Sequence, residues 1–145
     1  MKGLVTVMGY DKIRYYSFSE EDRRRLIERL RLLLEGRVRL AYLFGGVTRR
    51  RRVRDVDVAV YATPPFSLER LLSVGAELEI ALGVPVDLVQ LQDLDPSFRL
   101  KILRSGIPVI LDNPLHYKLI SQAISEIEDI KISIRRFRSC SSQHR

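Results

Sequence analysis

The segment Leu40–Tyr61, LAYLFGGVTRRRRVRDVDVAVY, limits the folds open to this chain more than any other. An apolar run, a Gly-Gly pair, an arginine-dense loop and a second apolar run carrying Asp-Val-Asp follow one another within it. Leu40–Phe44 and Val56–Tyr61 are aliphatic, β-branched and aromatic, and are bounded by glycine or charge, which predicts two buried strands. Successive side chains on a strand alternate between faces. Asp55 and Asp57 are therefore expected to share a face, with α-carbons about 6–7 Å apart, while Val56, Val58 and Val60 turn to the core.

Two carboxylates on one strand face repel each other, and a divalent cation makes such a pair favourable. Mg²⁺ takes oxygen ligands and is usually held by one or two carboxylates together with substrate phosphates. Asp-x-Asp alone is common at solvated strand ends, so the preceding glycines matter. Gly45 and Gly46 directly follow a strand, where glycine lets the backbone turn sharply and approach a ligand. A helical turn opening at Val47–Arg50 would present free N–H groups and a positive dipole end to a phosphate. One short loop then joins a phosphate site to a cation site, as a nucleoside triphosphate with Mg²⁺ requires. Gly-Gly taken singly is an ordinary tight turn; the combination carries the reading.

The order apolar-Gly-[Gly/Ser], spacer, Asp-x-Asp, apolar resembles the DNA polymerase β-like nucleotidyltransferase superfamily. Within it the chain is similar to the minimal nucleotidyltransferases, small proteins built around GSxAR…SDIDLxV. The matching residues are Gly45-Gly46-Val47-Thr48-Arg49 and Arg54-Asp55-Val56-Asp57-Val58. Gly46 stands where the minimal family usually has serine, and the spacer is shorter and richer in arginine. A third carboxylate, Asp87, lies in the apolar segment Gly83–Leu91, and Leu103–Ile110 resembles the family's closing IL-x-x-G helix end and short strand.

What the resemblance implies is a single-domain α/β (α+β) nucleotidyltransferase fold, a mixed sheet with helices packed mainly on one face. It further implies Mg²⁺-dependent transfer of a nucleoside monophosphate, AMP from ATP first, to a hydroxyl. Asp55, Asp57 and Asp87 are implied as catalytic residues and as ligands of two Mg²⁺ ions, with Asp87 also helping to deprotonate the acceptor. Gly45, Gly46 and Arg49 are implied as the nucleotide-binding residues. The first acceptor implied is a tyrosine of a helical HEPN partner, with this chain as its antitoxin; a small-molecule or RNA hydroxyl comes second. The alternative is a non-catalytic RNA- or protein-binding module that keeps the fold. Folding alone requires none of the three carboxylates, and their joint presence argues against that alternative.

At 145 residues the chain fits one domain large enough for its own core. No apolar run is long enough to span a bilayer and no signal-peptide core precedes the first strand, so a cytoplasmic location without membrane attachment is expected. Cys140 is the sole cysteine, which excludes an internal disulfide and a cysteine metal cluster. The net charge of +7 arises in residues 1–60, where 15 Lys+Arg oppose 8 Asp+Glu; the remainder balances, although its last fifteen residues hold five basic and no acidic side chains. Such basic zones suit a nucleotide, a nucleic acid or an acidic partner, or solubility alone.

Further expectations follow along the chain. Residues 1–18 are read as a hairpin extension, Leu4–Met8 and Ile13–Phe18 around Gly9, acting as an added edge or an oligomer contact. Residues 19–113 form the domain. Ser19 with Asp22 opens a helix with Leu26, Ile27, Leu30, Leu33 and Leu34 inward, and Gly36 ends it. Ser67 caps a second helix with Leu71, Leu72, Leu78 and Leu82 inward, Asp95-Pro96 starts a third, and Asn113-Pro114 a long amphipathic one over 114–138. A disordered tail is expected at 139–145. His116 and His144 are isolated in sequence and receive no role.

Overall fold

The computed structural model describes residues 15–49 and 52–143. Among these residues six strands and four helices follow in the order β1 (Tyr16–Ser17), α1 (Glu20–Leu34), β2 (Leu40–Phe44), β3 (Arg52–Val53), β4 (Val56–Tyr61), α2 (Leu68–Leu82), β5 (Val86–Gln90), α3 (Pro96–Ser105), β6 (Ile107–Ile110) and α4 (Asn113–Gln143). Single 3₁₀ turns at Gly45–Thr48 and Leu91–Asp93 follow β2 and β5.

Local chemistry sets most helix ends. Ser19 Oγ accepts from Asp22 N while Asp22 Oδ2 accepts from Ser19 N, closing the capping box on two otherwise orphaned donors. Ser67 and Asp95 cap α2 and α3 through Arg70 N and Phe98 N. Gly83, at φ +72°, ends α2 in the left-handed conformation that glycine adopts without a Cβ penalty. At α4 the cap is Asp112 rather than Asn113: its Oδ1 accepts from Leu115 N, and its Oδ2 pairs with Arg39 at 2.7 Å. Arg39 holds the Asp112 carboxyl below the usual carboxylate range.

The main sheet has the order β5-β4-β2-β6. Strand β2 runs antiparallel to both β4 and β6, and β5 lies parallel to β4, with α2 as the crossover that a parallel pair needs. Val56, Val58 and Val60 point from β4 into a core built with Leu26, Leu30 and Leu34 of α1 and Val74, Leu78 and Leu82 of α2. On the other face Leu40, Tyr42 and Ala59 meet Ile102 and Leu103 of α3 and Leu115 and Leu119 of α4. The helices α1 and α2 thus cover one face, and α3 with the start of α4 covers part of the other. Tyr42 is buried there with its hydroxyl 2.6 Å from His116 Nδ1, so His116 ties α4 to the sheet instead of standing alone. Burial pushes the Tyr42 hydroxyl up to about 12.

Helix α3 turns into β6 at Gly106, where a Cβ would lie 2.6 Å from Ile102 O, 3.2 Å from Leu43 O and 3.3 Å from Tyr42 Cβ. Two of these atoms are backbone and cannot swing away. Gly106→Ala is therefore expected to cost about 1–3 kcal/mol, the usual range for overpacking, readable as a lower urea midpoint with an unchanged slope.

One expectation is corrected, and two others meet the described residues only in part. Leu72 is 66% exposed; the inward row of α2 is Leu71, Val74, Gly75, Leu78 and Leu82, from which Leu72 is rotated by about 100°. The helix α4 continues to Gln143 through the stretch read as a loose tail, because neither glycine nor proline interrupts it. The hairpin reading falls largely outside the described residues. Its last part, Tyr16–Ser17, pairs antiparallel with Arg52–Val53 and so joins the arginine loop.

Candidate active site

Parallel pairing sets Asp57 of β4 directly beside Asp87 of β5. Residues in register on neighbouring strands point to the same face about 4.8 Å apart, so the two carboxylates lie side by side on the face that α3 and α4 leave partly open. Asp87 is exposed and Asp57 half-buried. Asp55 stands in the bend before β4 and not on the strand itself, because the chain has yet to enter the ladder there; its charge still reaches Asp57. Ion pairs among the described residues all lie elsewhere.

This crowding has a titration signature. Burial first, then the charges of Asp55 and Asp87, push the Asp57 carboxyl up to about 6 from its ordinary 3.8. Between those values the folded chain binds more protons at Asp57 than the unfolded chain, so this group's contribution to stability falls as pH rises through the window. Allowing for solvent screening, the expected loss from pH 5 to pH 7 is on the order of 1 kcal/mol, and it should vanish in Asp57→Asn. Urea titrations of both proteins at the two pH values check this.

The Gly45-Gly46 turn closes over Asp57. Phe44 is the cross-strand neighbour of Asp57, and Gly45 follows it at φ +72°. A Cβ on Gly45 would collide with Asp57 Oδ2, so the carboxylate occupies the space that the missing side chain leaves. The turn is a single 3₁₀ turn starting at Gly45, two residues earlier than expected. So short an element carries little dipole, and its attraction for anions would rest on backbone N–H groups and nearby cations. Thr48 Oγ1 donates to Gly45 O at 2.7 Å and Arg49 N to Gly46 O at 3.0 Å. From α1, Arg23 Nε donates to Val47 O at 2.9 Å and holds the turn from behind, a contact that the surface pattern of α1 did not reveal.

A cleft of about 340 Å³ opens on the other side of this turn, lined by Phe44, Gly45, Gly46, Thr48 and Arg49 and by Phe98, Lys101, Ile102 and Ser105 of α3. Arg49 is exposed at its wall, and Phe98 meets Phe44 edge-on with ring centres 5.8 Å apart. None of the three aspartates lines the cleft; the glycine turn is the wall shared between it and the acids. Phe98, Lys101 and Ser105 were missed as site residues. Their spacing of three and four does place them on one helix face, but only the packing of α3 against β2 turns that face to Gly45. Arg52 and Arg54 border a separate hollow with Tyr15 and Asp55, the Arg54 guanidinium 5.9 Å from the Tyr15 ring centre. Arg50 and Arg51 lie outside the described residues.

Acids on adjacent strand positions, a glycine turn above one of them and a basic cleft beyond define a class. The profile described as Polymerase beta, Nucleotidyltransferase matches residues 28–115, more than half of the chain, which belongs to this family. Its fold is that of the minimal nucleotidyltransferase antitoxins. A toxin–antitoxin complex crystallised with AMP-PNP contains a chain 20% identical, superposing with a TM-score of 0.67 over 80% of this chain and 98% of that one. The MNT antitoxin bound to a tri-AMPylated Shewanella oneidensis HEPN toxin gives 19%, 0.66, 83% and 98%. An MntA–HepT toxin–antitoxin structure gives 19%, 0.65, 82% and 98%. No curated protein matches the sequence. Among the described residues no helix is long and apolar enough to cross a membrane.

Proposed function

We propose that the chain is a Mg²⁺-dependent nucleotidyltransferase that moves AMP from ATP to a hydroxyl, in the first instance a tyrosine of a HEPN-type partner for which it serves as antitoxin. The observation that carries this reading is the in-register placement of Asp57 beside Asp87 under Gly45. The donor set fits a divalent cation: hard oxygen atoms, adjacent, with burial and then mutual repulsion raising Asp57. Among the described residues no three His, Cys, Asp or Glu side chains come together as a group that could hold a metal ion, so a cation here would rest on the Asp57–Asp87 pair, with waters and phosphate oxygens as its other ligands.

Asp57 and Asp87, with Asp55 at the rim, would hold the cations, which when bound neutralise triphosphate charge and stabilise the entering and leaving oxygens. The chain's own part is positioning. Gly45 and Gly46 bring backbone close to the phosphates, Arg49 and Lys101 offset their charge, and Phe98 offers an aromatic surface at the cleft mouth. Asp87, the exposed acid, would accept the proton of an incoming hydroxyl. The likeness to antitoxins that stand beside an AMPylated HEPN toxin supports a protein tyrosine as acceptor.

Radiolabelled ATP, Mg²⁺ and a HEPN protein encoded beside this chain should give a labelled HEPN band, lost with EDTA and lost when its tyrosines are changed to phenylalanine. Label that persists in a chain carrying Asp55→Asn and Asp57→Asn would refute the assignment. Failure to bind ATP with Mg²⁺, together with salt-sensitive RNA binding, would favour the non-catalytic module.

A further inference from the structure

The β1–β3 ribbon brings one of the chain's own tyrosines to the acidic cluster. Tyr16 and Val53 pair across this ribbon, and both are buried. One step further along the register Tyr15 falls opposite Arg54, and alternation turns both to the other face. The Arg54 guanidinium accordingly lies 5.9 Å from the Tyr15 ring centre. This half-buried ring lines a hollow of about 310 Å³ together with Gly46, Arg52, Val53, Arg54 and Asp55. Gly46 also lines the cleft on the far side of the turn, so hollow and cleft share that wall. Tyr15 thus occupies one space with the rim acid of the site and with the glycine turn. No other described tyrosine does. Tyr16 and Tyr42 are buried, and Tyr61 opens on a hollow with Leu91, Gln92 and Arg99, four residues beyond Asp57 on β4. Tyr117, 66% exposed, sits on α4 with its ring edge-on to His116.

We propose that Tyr15 is an acceptor within the chain itself: the protein transfers AMP to its own Tyr15 hydroxyl. This rests on the nucleotidyltransferase reading above and adds to it a modification site on the transferase. The Tyr15 oxygen attacks the α-phosphorus of ATP and forms an ester bond to it. The bond from that phosphorus to the oxygen bridging to the β-phosphate breaks, pyrophosphate leaves with the electron pair, and the phenolic proton passes through the acidic cluster to water. Two features favour the step. An acceptor tethered beside the site has already given up most of the translational freedom that a separate acceptor must lose. The Arg54 guanidinium against the ring favours the negative charge that develops on the phenol oxygen. Neither Arg54 nor Asp55 takes part in an ion pair among the described residues, so this cation is not consumed by the acid next to it.

Mass spectrometry of the full chain after incubation with ATP and Mg²⁺ tests this, with the HEPN protein encoded beside it labelled in a parallel reaction. The wild-type chain, alone, should gain the mass of one AMP, and peptide mapping should place it on Tyr15 and not on the more exposed Tyr117. Tyr15→Phe, which keeps the ring against Arg54, should lower self-labelling at least about tenfold with an unchanged circular dichroism spectrum. The mapping of the wild-type chain needs no variant and stands whether or not that one folds. A size-tagged Asp57→Asn chain should stay unlabelled, by itself and when mixed with wild type, because the transfer is within one molecule. Label mapped to another residue, label retained in Tyr15→Phe, or label passed to the Asp57→Asn chain in the mixture would overturn the inference. So would a wild-type chain that labels the HEPN protein and not itself, which leaves the proposed function standing. A chain that labels neither overturns both.

Discussion

Asp57→Asn is expected to lower nucleotidyl transfer by roughly a thousandfold, since a lost cation ligand removes several kcal/mol of charge stabilisation. Mg²⁺-dependent ATP binding should go with it. The same change should leave the fold intact and raise its urea midpoint at pH 7. Asparagine keeps the shape under Gly45 but removes the charge that burial, Asp55 and Asp87 all oppose. A variant made more stable and inactive at once separates a functional from a structural aspartate. Transfer retained within tenfold would remove Asp57 from the chemistry. The wild-type protein adds a pH dependence of matching sign: Mg²⁺-dependent nucleotide binding should fade as pH falls through about 6, where Asp57 takes up its proton.

Gly45→Ala should be the most damaging change in the turn, and Gly46→Ala next to it a mild one. At Gly45 two penalties coincide. Its φ of +72° costs an alanine about 1–2 kcal/mol, and the new methyl lands on Asp57 Oδ2, so either the turn or the carboxylate must move. We expect at least a hundredfold loss of transfer and a melting temperature several degrees lower. At Gly46 the Cβ would meet only Val53 Cγ1, at 3.1 Å, which a small side-chain shift relieves. Gly46→Ala, and Gly46→Ser as in the minimal family, should stay within tenfold of wild type. Equal damage at both positions would mean that the turn, and not the space above Asp57, governs the site.

What was legible in the sequence and what was not divide by the range of the interaction. Caps such as Ser19 with Asp22, and the alternation of Val56, Val58 and Val60, are decided within a few residues and are read directly. The carboxylate of Asp87 was visible as a residue, and β4–β5 pairing then sets it beside Asp57. The strand Val56–Tyr61 begins where the sequence predicts, and Asp55, expected to share a face with Asp57, stands one residue before the ladder, where strand alternation no longer sets its direction. The cleft residues Phe98 and Lys101, the brace from Arg23 to Val47 and the Tyr42–His116 bond each join elements distant in sequence, 24 and 74 positions apart for the last two. Their partners exist only once the helices have docked. Leu72 shows the converse: an apolar residue in a helical run need not face inward when its neighbours already fill that row.

The connection between β4 and β5 has a bearing on how a competent molecule matures. The glycine bend and Asp57 arise within the antiparallel β2–β4 unit, which can form early from neighbouring chain, whereas Asp87 arrives only after the α2 crossover has been laid down and its edge strand added. A molecule arrested before that last step would hold two of the three acids and the whole glycine bend. On the proposed function, nucleotidyl transfer would therefore require the completed sheet.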